Sequence, residues 1–251
     1  MTTTVEAVAA LHRGRASSTG VMLDFDGTLA PIVGRPELAA LLEGMAEALG
    51  SIAARYRLAA IVTGRPSAEI AALLQVDGLE ILGLYGAEDL PPLDPAIRRS
   101  VAAAIAEMPD AWAPEVWVED KGPFLSVHFR GAPDPQAAAF RLRALLIPIA
   151  TSAGLDLTDG KRVLELGPQG RADKGAALIE LVRTHQLEGA LFAGDDVADL
   201  DAFVALDELA AHGLLVTKIA VGGAETPDAL VRAADLTVVG PAGLLALLRM
   251  L

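Results

Sequence analysis

Val21-Met22-Leu23-Asp24-Phe25-Asp26-Gly27-Thr28 decides how this chain is read. The apolar run predicts a buried strand, and its carboxyl end delivers two carboxylates two residues apart. In open α/β sheets that edge is where ligands bind. Strand side chains alternate with period two, so Asp24 and Asp26 leave on the same side if the extension persists. Gly27 lets the chain turn, and Thr28 can hydrogen-bond back to the backbone. Such a pair can hold a hard cation, attack an electrophile or shuttle a proton. A lone Asp-x-Asp also fits a plain turn with a spare acid. An EF-hand loop does not fit, because its obligatory sixth-position glycine is Leu29 here.

Outward from this stretch, strand-like runs recur at Leu58–Thr63, Leu79–Leu84, Ala190–Gly194, Leu214–Val221 and Leu236–Val239. The segments Glu37–Ala54, Ala68–Gln75, Gly175–His185 and Pro227–Ala233 read as helices between them, the last with Thr226 as N-cap. This alternation predicts βαβ units and a doubly wound, mostly parallel α/β sheet of the Rossmann-like kind.

The middle of the chain has a different rhythm. A helix over Pro95–Glu107 precedes alternating runs at Glu115–Asp120 and Phe124–Arg130. A second helix spans about Asp134–Ala153, and a hairpin follows, Leu155–Thr158 and Arg162–Leu166 about the turn Asp159-Gly160. The expectation is an inserted α+β cap domain at residues 88–163, with the core made of 1–87 plus 164–251. Pro91-Pro92 and Gly167-Pro168 are its expected linkers. Val116, Val118, Leu125, Val127 and Phe129 form one face of its strands, and Trp117, Glu119, Lys121, Ser126, His128 and Arg130 the other. A half-solvated antiparallel sheet explains the polar face as well as a surface for gripping a sugar and its phosphate does.

Composition narrows the function classes. Among 251 residues 53% are hydrophobic and 4% aromatic, so Ala, Leu and Val must pack the core. A net charge of −13 argues against nucleic acid or an anionic membrane as partner. Cysteine is absent, which excludes disulfides, thiolate metal sites and a Cys nucleophile. Neither a signal peptide nor a membrane span is expected, and the cytoplasm is the expected compartment.

Four groups fall at or just past expected strand ends or helix entries: Asp24/Asp26, Thr63-Gly64-Arg65, Lys174-Gly175, and Gly194-Asp195-Asp196 with Asp199 and Asp201. A cation at a helix N-terminus, as at Lys174, opposes the macrodipole and makes sense beside an anion.

In this order the motifs resemble the haloacid dehalogenase superfamily of phosphatases, whose pattern runs Asp-x-Asp-x-Thr, Ser/Thr, Lys, Asp pair. Within it, the chain is similar to the trehalose-6-phosphate phosphatase branch. The matching segments are Leu23–Ile32, Val118–Gly122, Val127–Arg130, Leu164–Leu166 and Gly194–Asp196. The resemblance implies Asp24 as nucleophile and Asp26 as general acid and base. It implies Mg²⁺ held by Asp24, the Asp26 carbonyl and Asp195, supported by Asp196 and Asp199. Thr63 and Lys174 would stabilise the phosphoryl charge, and Arg65, Glu119, Lys121, Arg130 and Glu165 would contact substrate. The implied partners are a sugar phosphate and a sugar-phosphate synthase of the same pathway. The family commonly has Arg at Gly167, His at Tyr85 and Thr-Asp-Glu at Ala198-Asp199-Leu200. Trehalose 6-phosphate is the expected substrate. The alternatives are sucrose phosphate, a glucosyl- or mannosyl-glycerate phosphate, a trehalose-like pseudo-disaccharide phosphate, or a catalytically silent sugar-phosphate-binding module.

Overall fold

The computed structural model describes residues 4–35, 38–170 and 173–251. The chain divides into two compact units, Met1–Gly86 with Ala172–Leu251, and Ala87–Arg171.

The first unit holds a six-stranded sheet of β1 (Thr19–Leu23), β2 (Leu58–Val62), β3 (Glu80–Leu82), β8 (Gly189–Gly194), β9 (Leu215–Gly222) and β10 (Leu236–Val239). The order is β10-β9-β8-β1-β2-β3, and every neighbouring pair is parallel. From β1 the chain builds outward on one side to β3, then returns to build the other side from β8. The order therefore reverses between β1 and β8, the place where doubly wound sheets open a crevice at their carboxyl ends.

Both sheet faces are covered, as the continuous apolar strands require. Val21, Leu23, Ala59 and Ile61 face a core shared with helices α1 (Val5–Arg13), α2 (Met45–Arg55), α3 (Ser67–Leu74) and α9 (Gly240–Leu248). The alternate residues Met22, Ala60, Val62 and Phe192 face α6 (Lys174–Thr184), α7 (Asp199–Ala211) and α8 (Asp228–Ala233).

The second unit is an antiparallel sheet in the order β4-β5-β7-β6, from β4 (Trp117–Asp120), β5 (Leu125–His128), β6 (Leu155–Gly160) and β7 (Val163–Pro168). Its apolar face, Leu125, Val127, Leu164 and Leu166 with the flanking Val116 and Phe129, packs on α4 (Pro95–Ile105) and α5 (Pro135–Ala153) through Val101, Leu142 and Leu146. Asp134 caps α5 by accepting from the amides of Gln136 and Ala137, and Gly154 ends it at φ 64°.

Five expectations are corrected. The boundary at 163/164 falls inside the second unit, because β7 is hydrogen-bonded between β5 and β6 and cannot be divided from them. Gly167 and Pro168 are strand residues opposite Asp156 and Leu155, not a linker. The hairpin turns at Lys161-Arg162, with Arg162 at φ 61°, while Asp159 and Gly160 stay paired with Leu164 and Val163. Helix α2 starts at Met45, because Gly44 at φ 83° breaks the helical path; Glu37, its expected start, lies outside the described residues. At α8, Thr226 binds the amide of Gly223 and the carbonyl of Val221, and Pro227 takes the cap position.

Candidate active site

The amide of Asp24 donates to the Ala193 carbonyl at 2.9 Å, which carries the β1–β8 ladder one residue past the strand. Phe25 is fully buried, and its carbonyl accepts the amides of Leu29 and Ala30 at 2.9 and 3.1 Å, folding the chain back on itself. Gly27 sits at φ 82°, and a Cβ there would lie 2.0 Å from Oδ2 of Asp195. Glycine is thus needed both for the turn and for the approach of the carboxylate from beyond β8.

Lys174, the first residue of α6, is 4% exposed and reaches two carboxylates: Oδ1 of Asp24 at 2.7 Å and Oδ1 of Asp199 at 2.5 Å. The other oxygen of Asp199 accepts the amides of Asp195 and Asp196, each at 2.7 Å, so Asp199 ties the post-β8 turn to the lysine. The Thr28 hydroxyl lies 3.5 Å from Oδ2 of Asp24 and 3.5 Å from Oδ1 of Asp195. Burial opposes the charge on Lys174, but Asp199 and Asp24 override it and hold its pKa well above the usual value. Burial pushes Asp24 well above the usual carboxylate range; Lys174 opposes this, and Asp199 and Asp195 add to it.

Asp24, Asp195 and Asp199 bring carboxylate oxygens within 4.8 Å of one another, all buried. This hard-oxygen set fits a magnesium ion. With both oxygens of Asp199 engaged by Lys174 and the turn amides, Asp24 and Asp195 are the better ligands. Asp196 accepts from the amide of Val197 at 2.6 Å, at the turn leading to α7.

Beyond β2, Thr63 is 1% exposed, and its hydroxyl accepts the amide of Arg65 at 3.2 Å. Arg65 sends Nε and Nη2 to the two oxygens of Asp26, each at 2.7 Å, and Nη1 to Glu69. The arginine expected at the substrate is therefore joined to the second motif aspartate. Tyr85 packs beside this turn: its amide donates to the Thr63 carbonyl at 3.0 Å, and Lys174 Nζ is 5.9 Å from its ring centroid. Leu84 and Tyr85 both have positive φ, 48° and 57°, a strained pair held next to the site.

The second unit gathers most of its expected residues on one face. Lys121 lies 3.4 Å from Glu165 and 3.8 Å from Glu119. Ser126 donates to Glu165 at 2.9 Å, and the His128 ring nitrogen lies 2.9 Å from Glu119. Trp117 stacks on His128 with centroids 4.0 Å apart. Arg130 reaches the carbonyl of Lys161 at the hairpin turn, at 3.0 Å. Ser126, His128 and Trp117 were legible as polar-face residues, but nothing in the sequence told of their pairing. Thr28 was visible in its motif and Tyr85 as a departure from the family pattern; Glu69 carried no signal of its own.

Comparison with known proteins follows the same lines. The trehalose-phosphatase family profile matches residues 22–234. Trehalose-phosphate phosphatase B of Arabidopsis thaliana is 32% identical over 227 residues, covering 79% of this chain and 59% of that protein. An uncharacterized glycosyl hydrolase of Mycobacterium tuberculosis is 36% identical over 204 residues, covering 74% of this chain and 15% of that protein. The chain thus spans less than two thirds of these relatives. Among solved structures, the C-terminal domain of trehalose-6-phosphate phosphatase from C. albicans superposes with a TM-score of 0.79 at 19% identity, covering 97% of this chain and 95% of that one. A trehalose-6-phosphate phosphatase related protein matches with a TM-score of 0.66 at 26% identity, covering 92% and 95%.

Proposed function

The chain belongs to the trehalose-phosphatase family, and on that footing we propose that it hydrolyses a sugar phosphate monoester, with trehalose 6-phosphate as the preferred substrate. The observation that carries this reading is the buried Asp24 carboxylate, 2.7 Å from Lys174, at the point where the strand order reverses.

The proposed route has two transfers. An Asp24 oxygen attacks phosphorus, the bond to the sugar oxygen breaks, and Asp26 gives that oxygen its proton. Water then attacks the aspartyl-phosphate, Asp26 takes the water's proton, and Asp24 leaves as a carboxylate. Thr63 and Lys174 donate to the phosphoryl oxygens as charge spreads over them. Mg²⁺ on Asp24, the Asp26 carbonyl and Asp195 would neutralise the crowded carboxylates and polarise the phosphoryl group, with Asp196 and Asp199 in support. In the second unit, Glu119 and Glu165 accept sugar hydroxyls, and Lys121 and Arg130 donate to the sugar. A synthase that makes the sugar phosphate supplies the substrate, and we place the reaction in the cytoplasm.

Two positions favour a second substrate within the same chemistry. Tyr85 stands where the family resemblance implies His. Gly167 stands where the resemblance implies Arg, and a Cβ there would meet the Phe124 ring at 2.1 Å. Another glycosyl phosphate is the corresponding reading.

The deciding experiment measures phosphate release from trehalose 6-phosphate, sucrose 6-phosphate and glucose 6-phosphate, with Mg²⁺ and with EDTA, beside Asp24→Asn. Mg²⁺-dependent release from the trehalose ester, lost in Asp24→Asn, is expected. Release from a different ester moves the substrate. Binding of all three without turnover leaves a silent binding module.

A further inference from the structure

Arg65 is held from every side. Its amide is on Thr63 Oγ1 at 3.2 Å and its carbonyl accepts the Leu84 amide at 3.0 Å. The guanidinium carbon lies 5.4 Å from the centroid of the fully buried Phe25 ring. The side chain is 8% exposed, and the Asp26 side chain it grips is 42% exposed. Two parallel bonds of 2.7 Å fix the plane of the carboxylate as well as its distance. Glu69, in the first turn of α3, holds the remaining terminal nitrogen.

We propose that Arg65 is a positioning residue for Asp26, and not a substrate contact. The proposal rests on the reading of Asp26 as the proton donor and acceptor. A carboxylate on a turn, partly open to solvent, has rotamers to lose before it can meet a leaving oxygen. Fixing that geometry beforehand is where orientation lowers a barrier. A basic side chain in direct contact with the ester would show itself in substrate affinity; one acting through Asp26 shows itself in turnover.

The test compares Arg65→Ala, Arg65→Lys, Asp26→Asn and the double variant Arg65→Ala/Asp26→Asn. The substrates are trehalose 6-phosphate and 4-nitrophenyl phosphate, the latter followed by its nitrophenolate burst. Arg65→Ala is expected to lower kcat on the sugar ester about 100-fold, the low end for a lost general acid or base, with KM changed less than about threefold. Arg65→Lys, which keeps charge without the fork, should fall between. The burst from the aryl ester, whose leaving group needs no proton, should fall far less. Asp26→Asn should show the same pattern, and the double variant should be no worse than Asp26→Asn alone. A KM rise with kcat retained, or losses that multiply in the double variant, would overturn the proposal. If Asp26→Asn keeps full turnover, the role of Asp26 falls and this proposal with it, while Asp24→Asn still judges the phosphatase reading separately. Circular dichroism and the unfolding midpoint check each fold, and Arg65→Lys carries the same comparison if Arg65→Ala does not fold.

Discussion

Lys174 Nζ lies 2.7 Å from Oδ1 of Asp24 and 2.5 Å from Oδ1 of Asp199, with all three side chains at most 7% exposed. One cation thus compensates two carboxylates brought from the end of β1 and the start of α7. Its worth is set by what is left behind when it is removed.

Lys174→Met should therefore destabilise the fold by about 3–5 kcal/mol, the usual cost of an uncompensated buried charge. Urea unfolding at neutral pH without divalent cations measures it. Adding Asp199→Asn to that variant should recover part of the loss, since one of the two stranded carboxylates is then neutral. A Lys174→Met chain as stable as the parent would mean the two carboxylates are not both charged in the folded state.

The crowding of Asp24 and Asp195 makes a linked prediction for Mg²⁺. Saturation at about 100 times the dissociation constant should stabilise the parent by about 2.7 kcal/mol. The readout is the unfolding midpoint with Mg²⁺ against EDTA. Asp195→Asn should lose most of that shift. An undiminished shift in Asp195→Asn would place the ion elsewhere.

On the second unit, Lys121 stands between Glu165 and Glu119 at 3.4 and 3.8 Å. Lys121→Ala is expected to raise KM for the sugar ester about tenfold or more, because a charge-assisted hydrogen bond is worth about 1.5–3 kcal/mol. The KM for 4-nitrophenyl phosphate, which has no sugar, should stay within about twofold. Equal losses on both esters would make the effect one of folding.

His12 supplies a pH signature unrelated to catalysis. Its Nε2 is 2.8 Å from Thr217 Oγ1, and among the described residues its buried Nδ1 has no hydrogen-bond partner. Burial, helped by the nearby Arg15 charge, lowers its pKa from 6.5 to about 4. The unfolded chain then takes up the proton first, so stability is lost as pH falls below about 6.5 and the loss levels off near 4. At about 1.36 kcal/mol per pKa unit the whole window amounts to about 3 kcal/mol. Urea unfolding across that window should show a shallower decline in His12→Gln than in the parent; parallel curves would remove His12 as the cause.

The parallel core was readable because its strands and helices differ in period and both sheet faces are buried. Val21-Met22-Leu23 has no polar alternative, and Asp24 could only be its end. Element boundaries were less readable where the deciding fact was a partner strand. Val163–Pro168 reads equally well as the first core strand after the insert, and only its pairing with β5 and β6 puts it in the second unit. The same holds for the hairpin turn: Asp159-Gly160 has the better local chemistry, but the register of Gly160 opposite Val163 moves the turn to Lys161-Arg162.

By itself the sequence determined which residue types stand at strand ends, the alternation that separates the two faces of the inserted sheet, and the order of motifs that marks the family. Those are properties of spacing along one chain. Only the tertiary structure decided that Arg65 grips Asp26, that Asp199 spends both oxygens on Lys174 and the Asp195–Asp196 amides, and that Asp195 enters the space left by Gly27. Pairings between distant charges depend on which strands lie side by side and on angles good to a fraction of an ångström, and the burial that gives them their strength exists only once the sheet has closed around them.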